Sequence, residues 1–439
     1  MKQQRARLFI AVLVCCSFFM VSTHANTSNQ KAVEEMIPVA SESAIVYDAT
    51  NHQMLYEKNI DQKMYPASLT KMITVYVAMQ LEEDHQRQIT LTPEMFEGLL
   101  EENASMAGFS IGETLRFKDL LYGALLPSGA EACRALAITT SGSVDAFVDE
   151  MNQFAKKLGM KHTHFVNTSG LHDKKQYTTA NDMRKFMEVA LQDERFLEIY
   201  SCDIFVSQAN EIHPYGVELS STRNDEIEAL GIAEDFFEGS KTGYTGEAGK
   251  CLATSRWDED VHLIYVGFFA SDQYDSHDHF QDAYRLLHYF SEHYRTHRIY
   301  RKGDLIADFS IQNALDQEAG TFYAAHDIKL YAPNEIETKK IKKQITPKES
   351  AFKAPYHKGD VLGKVSFVYD GVVYDELTLK AAEEITSHPF LYPFASIWWW
   401  ISASWIRLTF VILMVVGLSL YGYRTYVIRK RRKQYRSRI

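Results

Sequence analysis

Residues 66–81, PASLTKMITVYVAMQL, and residues 239–256, GSKTGYTGEAGKCLATSR, decide how this chain folds. In the first, Pro66 and Ala67 precede an apolar-periodic run from Leu69 to Leu81, the pattern of a helix opening at Ser68. In the second, two strand-like runs flank Gly246 to Gly249, the pattern of a hairpin. Working outward, AIVYDATNHQMLYE (44–57) reads as two short strands around a turn at Asp48 to His52, and VHLIYVGFFA (261–270) as a third strand. Helical spacing recurs at 117–126, 131–139, 144–158, with Gly159 as a left-handed terminator, and 280–294. Helices mixed with antiparallel hairpins imply an α+β domain.

At 439 residues and 46% hydrophobic, the chain can bury more than one core. Past about residue 298 the texture changes to short alternating runs such as DLIADFSI, KVSFVYDG and VVYDELTL, which predict a small all-β domain over 298–390. Arg301-Lys302-Gly303-Asp304-Leu305 and His357-Lys358-Gly359-Asp360-Val361 repeat one turn-then-strand design, a mark of internal duplication. No nucleophile with a nearby base falls in this part; it serves to hold the first domain off a membrane.

The chemistry lies in the first domain. Ser68-Leu69-Thr70-Lys71 places a hydroxyl at a helix start and an amine three residues on, so the two share a face. A serine hydroxyl is a poor nucleophile until a base takes its proton, and lysine can do so only with a depressed pKa. Burial and a second positive charge both depress it. Lys241-Thr242-Gly243, opening the hairpin, supplies that charge, and its glycine lets another backbone approach. Pro127-Ser128-Gly129 offers a second hydroxyl between the two. Ser350-Ala351-Phe352-Lys353 has the same spacing as Ser68 and Lys71 without any companion motif. Spacing alone therefore carries no weight, and order and context do.

These elements resemble the S-x-x-K, S-D-N and K-T-G signature of penicillin-binding proteins and serine β-lactamases. MYPASLTKMIT (64–74), DLLYGALLPSG (119–129), AKKLGMKHTHFVNTSGLHD (155–173), YTTANDM (177–183) and GSKTGYTGEAGKCL (239–252) are similar to low-molecular-mass D-alanyl-D-alanine carboxypeptidases, serine peptidases of the S11 type. The resemblance covers roughly residues 44 to 294 and extends to the β domain and the C-terminal anchor. It implies a penicillin-binding/β-lactamase-like catalytic domain over 26–297, an antiparallel sheet flanked by helices. The implied reaction removes the terminal D-alanine of a peptidoglycan stem peptide through an acyl-Ser68 intermediate. Lys71 would be the base, Ser128 would relay a proton to the leaving amine, and Lys241 and Thr242 would bind the terminal carboxylate. The N–H groups of Ser68 and Tyr244, beside Gly243, would form the oxyanion hole. β-Lactam antibiotics would act as covalent inhibitors, and no metal or organic cofactor is implied.

Two departures from that pattern stand out. The second motif ordinarily ends in asparagine, and here Ala130 follows Gly129, with Glu131 next. No Arg or Lys occurs from Trp257 to Tyr284, where family members often place a carboxylate-holding arginine. Loss of transition-state donors costs on the order of 10²- to 10³-fold each. Two other readings stay open, a catalytically weakened wall-binding or scaffold relative and a β-lactamase.

The ends fix the topology expected. Lys2, Arg5 and Arg7, an apolar run from Leu8 to Val21, and small Thr23 and Ala25 read as a signal peptide, residues 1–25. Residues 397–423 are apolar and aromatic, with Trp398, Trp399, Trp400 and Trp405 at one end and Arg407 interrupting, which reads as a single membrane span entered at its Trp-rich end. Residues 424–439 carry eight basic groups and no acidic one, a cytoplasmic tail by the positive-inside rule. The catalytic domain is then extracytoplasmic at the cell membrane. Eleven of the 47 Lys and Arg residues lie in these two ends and none of the 57 Asp and Glu does, so residues 26–423 carry a charge near −21. Such a surface excludes nucleic acid as a partner. Cys133, Cys202 and Cys251 remain after export, an odd number that argues against a disulfide framework.

Several residues read as structural. Cys133 is a small hydrophobe near Ser128. His172-Asp173 is a loop that can line the cleft, and Asn103 to Gly108 a loop over it. His277, His279, His288, His293 and His297 crowd one region, and His293 with His297 has the spacing of a helix-borne metal pair. No glutamate sits between them in the metalloprotease arrangement, so a solvated helix face is expected.

Overall fold

The computed structural model describes residues 33, 36–315, 320–324, 327–349, 352–369, 372–387 and 404–436. The expected signal peptide, Trp398 to Trp400 and the Ser350-Ala351 half of the decoy motif lie outside the described residues. The chain divides into two compact units. One comprises residues 1–299, 329–342 and 368–375, the other 300–328, 343–367 and 376–439.

The first unit is built on a five-stranded antiparallel sheet: β1 (Ser43–Asp48), β2 (Gln53–Lys58), β3 (Gly239–Thr245), β4 (Gly249–Asp258) and β5 (Val261–Phe268). Their order is β2-β1-β5-β4-β3, so β1 pairs with a strand some 220 residues away, Ile45 opposite Val266. All residues of β1 and β5 are buried. Successive side chains leave opposite faces of a strand. Ile45, Tyr47, Ile264 and Val266 accordingly join one apolar core, while Ala44, Val46, Leu263 and Tyr265 join another.

The first core is filled by helices α1 (Thr70–Leu81), α2 (Phe117–Leu125), α3 (Ala130–Ser141), α4 (Val144–Lys157), α5 (Ala180–Ala190) and α6 (Glu194–Tyr200). A short helix α7 (Arg223–Leu230) leads toward β3, and α8 (Asp278–His293) covers the opposite face with Phe280, Leu287 and Phe290. Helix α1 is buried from Thr70 to Met79. A helix apolar all round belongs inside a core. Burying each large apolar side chain there stabilises by about 1.5–3 kcal/mol. Ser143 and Thr179 cap α4 and α5, accepting the N–H of Ala146 and Asp182 at 3.1 Å.

Sequence and structure differ in detail. Ser68 does not open the α-helix; it lies in a 3₁₀ turn, Ala67–Leu69, ahead of α1. Ala67 is held at φ 45°, a conformation that ordinary side chains disfavour and that turns the chain into α1. Helix α8 ends at His293, and His297 sits on strand Tyr294–Tyr300, 7% exposed, with Nε2 2.9 Å from the Pro333 carbonyl. The two histidines share no helix face. His279 is buried, not solvated. Among the described residues no group of three metal-binding side chains converges.

In the second unit the two Gly-Asp turns match bond for bond. Gly303 and Gly359 both have φ 89°. Asp304 and Asp360 accept the N–H of Arg301 and His357 at 2.7 and 2.8 Å, and Ala324 and Ala381 complete each turn through the same backbone pair. A 33-residue helix, Ser404–Arg436, includes Val411–Arg429, a stretch long and apolar enough to cross a membrane. That stretch begins after Arg407 and runs past Tyr423.

Candidate active site

The 3₁₀ turn, α1, the Ser128 loop and the edge strand β3 meet at one place. Lys71 Nζ donates to Ser68 Oγ at 2.7 Å and to the Ser169 carbonyl at 2.7 Å, which fixes the amine beside the hydroxyl. Lys71 is 3% exposed and Lys241 fully buried. Burial pushes the Lys71 pKa down to about 8, against the smaller pull of Cys133 and Glu131. Burial, with the charge of Lys71, pushes Lys241 down to about 7. The expected lowering of Lys71 is there and comes from burial, while the charge of one lysine on the other acts on Lys241.

Strand β3 lies against the Ala67–Leu69 turn through glycine. A β-carbon on Gly243 would stand 3.0 Å from the Ser68 nitrogen and 3.1 Å from Ala67 Cβ. From the other side Gly170, at φ 85°, presses so close that a β-carbon would sit 1.7 Å from the Ala67 carbonyl oxygen. Asn167 Oδ1 accepts the N–H of Ser169 and Gly170, and Gln176 accepts those of Val166 and Asn167. Thr74 Oγ1 donates to the Thr168 carbonyl at 2.7 Å. Residues 166–176 are thus locked to α1 and aim the Ser169 carbonyl at Lys71.

Ser128 is 5% exposed, sits at φ 68°, and its Oγ finds no hydrogen-bond partner among the described residues. A buried, unpartnered hydroxyl on a strained residue is poised for a ligand atom. Ala130, where an amide would be expected, is fully buried, and its N–H goes to the Ser105 carbonyl. Glu131 turns inward, with Oε1 accepting from Ala107 at 2.6 Å and Gly108 at 3.1 Å, so the 103–108 loop is tied to the second motif. Thr242 Oγ1 lies 2.8 Å from Thr222 Oγ1. His172 stacks edge-on to Tyr65 beside Ala67, Gly170 and Thr245.

A family model described as D-alanyl-D-alanine carboxypeptidase matches residues 27–271, over half the chain. The chain belongs to the D-alanyl-D-alanine carboxypeptidase family. A second model, penicillin-binding protein 5 C-terminal domain, matches residues 294–387. This carboxypeptidase-family chain is 27% identical over 397 residues to the D-alanyl-D-alanine carboxypeptidase DacF of Bacillus subtilis, covering 89% of itself and 96% of that protein. It is 27% identical over 379 residues to DacA of Escherichia coli, covering 84% and 90%. Penicillin-binding protein 5 of Haemophilus influenzae superposes with a TM-score of 0.66 at 25% identity, over 80% of this chain and 99% of that one.

Four participants escaped the motif reading: Ser169, Gln176, Thr222 and Glu131. Ser169 and Gly170 stand inside the family-like stretch HFVNTSGLHD, which was signal enough for the loop but not for its carbonyl. Thr222 belongs to no motif, and nothing in its spacing foretells a partner on β3.

Proposed function

We propose that this protein is a serine D-alanyl-D-alanine carboxypeptidase acting outside the cytoplasm on peptidoglycan stem peptides. The 2.7 Å contact of Lys71 Nζ with Ser68 Oγ, in a site that depresses both lysines, carries the reading. In its neutral form Lys71 takes the Ser68 proton as Oγ attacks the carbonyl carbon between the two D-alanines. Oxyanion charge collects near the N–H groups of Ser68 and Tyr244, supported by the close approach of Gly243 to that nitrogen. The proton taken by Lys71 passes through Ser128 to the leaving amine as the C–N bond breaks, D-alanine departs, and Lys71, neutral again, takes a proton from the water that attacks the acyl carbon and frees Ser68. Lys241 and Thr242 line the path of the substrate's end.

Strand β3 has one unpaired side among the described residues, and a peptide can add to it antiparallel. Its C-terminal residue then lies by Thr242 and its upstream residues run toward Thr245. β-Lactams would acylate the same Ser68. Residues 1–25 direct export, the C-terminal helix anchors the chain, and the basic tail stays in the cytoplasm, by the charge and length arguments above.

Incubation of the purified protein with a peptide ending in two D-alanines is expected to release D-alanine, and Ser68→Ala to abolish release. One stable penicillin adduct at Ser68 by intact mass is expected too. A wild-type protein that neither releases D-alanine nor gains the adduct is the binding-only relative that Ala130 would suggest, and rapid penicillin turnover without adduct is a β-lactamase.

A further inference from the structure

The outer face of the β3–β4 hairpin carries a charge that the acyl-transfer site does not use. Tyr244 pairs with Lys250 across the hairpin, so the two side chains leave the sheet on one side, and Thr242, two residues before Tyr244, leaves with them. Lys250 is only 8% exposed. Its ammonium lies 3.6 Å from a Glu226 carboxylate oxygen, 5.1 Å from the centre of the Tyr274 ring and 5.9 Å from that of Tyr244. Glu226 is thus its ion-pair partner, at a distance just beyond a hydrogen bond. Buried charges are ordinarily paired and hydrogen-bonded.

The register sets Lys250 and Thr242 diagonally across the hairpin on this one face. Glu226 stands in the first turn of α7, which begins immediately after Thr222, and Thr222 touches the Thr242 hydroxyl at 2.8 Å. Glu226 is shared: its second oxygen meets His277 Nδ1, and His279 Nε2 lies 3.5 Å from the first. Burial, with the charges of Lys250 and His277, holds the His279 imidazole neutral, down at about 3, so that ring offers no cation. From Trp257 to Tyr284, through β5 and the loop after it, the chain supplies no Arg or Lys.

On the carboxypeptidase reading the substrate ends one residue beyond the reacting carbonyl, which puts a carboxylate beside Thr242. Lys71 and Lys241 both lose their protons between about 7 and 8, so neither is a lasting positive charge once Lys71 works as a base. We propose that Lys250 reads the substrate's free terminal carboxylate, its ammonium and the Thr242 hydroxyl together selecting peptides that end there. The proposal rests on the carboxypeptidase function above. Lys250 is in this role a specificity residue, with Glu226 positioning it and the rings of Tyr244 and Tyr274 beside its ammonium.

The test compares an N-acylated peptide ending in D-Ala-D-Ala with its C-terminal carboxamide. Wild-type enzyme is expected to favour the free acid by tenfold or more in kcat/KM, mostly through KM. Lys250→Met should shrink that preference about tenfold and Lys250→Arg should restore it. An undiminished preference in Lys250→Met, with folding checked by circular dichroism, overturns the proposal. A second arm needs no variant: the wild-type preference for the free acid should persist from pH 7 to 9.5. Its disappearance as Lys71 and Lys241 deprotonate assigns the role to them and overturns the proposal equally. A wild-type enzyme that cleaves neither peptide overturns the parent function itself.

Discussion

Lys71 holds Ser68 Oγ at 2.7 Å from an amine whose pKa burial has brought down to about 8. Only the neutral amine accepts the serine proton, and below pH 8 that form is the minority. The second-order rate of Ser68 acylation by penicillin should therefore climb about tenfold per unit from pH 5.5 toward 8 and level off above it. Stopped-flow or quenched intact-mass kinetics over that range check this. A rate flat between pH 6 and 8 would show that Lys71 is not the base.

The same burial has a stability cost with a definite pH dependence. An unfolded lysine titrates near 10.4, and the folded Lys71 and Lys241 titrate near 8 and 7. Between about 7 and 10 the unfolded chain binds more protons at these sites, so their contribution to stability rises with pH. Lys71→Met and Lys241→Met remove a buried cation without opening a cavity. Each should be more stable than wild type at pH 7, by about 1–4 kcal/mol. The gap should narrow as pH rises toward 9.5. Thermal melts at several pH values, wild type against each variant, isolate this from the buried thiol Cys251, whose raised pKa acts oppositely but equally in both proteins.

Gly170 cannot be replaced. A β-carbon there would overlap the Ala67 carbonyl at 1.7 Å, and φ 85° disfavours any side chain. In Gly170→Ala the turn carrying Ser68 must shift, and a displacement near 1 Å costs about 10²-fold in a positioned reaction. Penicillin labelling should fall by about that factor, while Gly142→Ala, where a β-carbon meets nothing within 4 Å, should leave labelling intact. Equal labelling of the two variants would sink the argument.

The periodicities that report a backbone conformation were legible: β1 and β2, the β3–β4 hairpin, β5, and helices α1 to α4 and α8 all fall within a few residues of where spacing puts them. The contact of Ser68 with Lys71 was legible because residues three apart meet on one turn, and the place of Lys241 on a hairpin strand because hairpin geometry is local. What spacing could not show depends on distant chain segments. Helices α5, α6 and α7 lie in 160–238, where short polar-rich runs bury one face only against a core made by other segments. The Ser169 carbonyl on Lys71, 98 residues apart, and the Thr222 hydroxyl on Thr242 are contacts of the finished fold. His293 and His297 misled in the opposite direction, because the change from helix to strand falls between them.

Glu131 supplies the last prediction, because it occupies the second motif just past the alanine that replaces an amide. Its carboxyl is fully buried, and burial raises its pKa in spite of the N–H groups that it accepts. Those N–H groups, Ala107 and Gly108, belong to the loop on which Gly129 packs: a β-carbon on Gly129 would stand 2.6 Å from Ala107 Cβ. Oε1 alone does the tying, for Oε2 has no hydrogen-bond partner among the described residues. In Glu131→Gln the amide oxygen can still accept both N–H groups, so the loop should hold and stability should change by less than about 1 kcal/mol. In Glu131→Ala the buried N–H of Ala107 loses its acceptor, at about 1–3 kcal/mol, and that of Gly108, on an exposed residue, loses its own at less cost. Amide hydrogen exchange at Ala107 and Gly108 should then accelerate, and because the loop braces Ser128, penicillin acylation should slow with it. If Glu131→Ala left exchange at those two amides unchanged, the loop would be held by packing alone, and the carboxyl would have no part in placing Ser128.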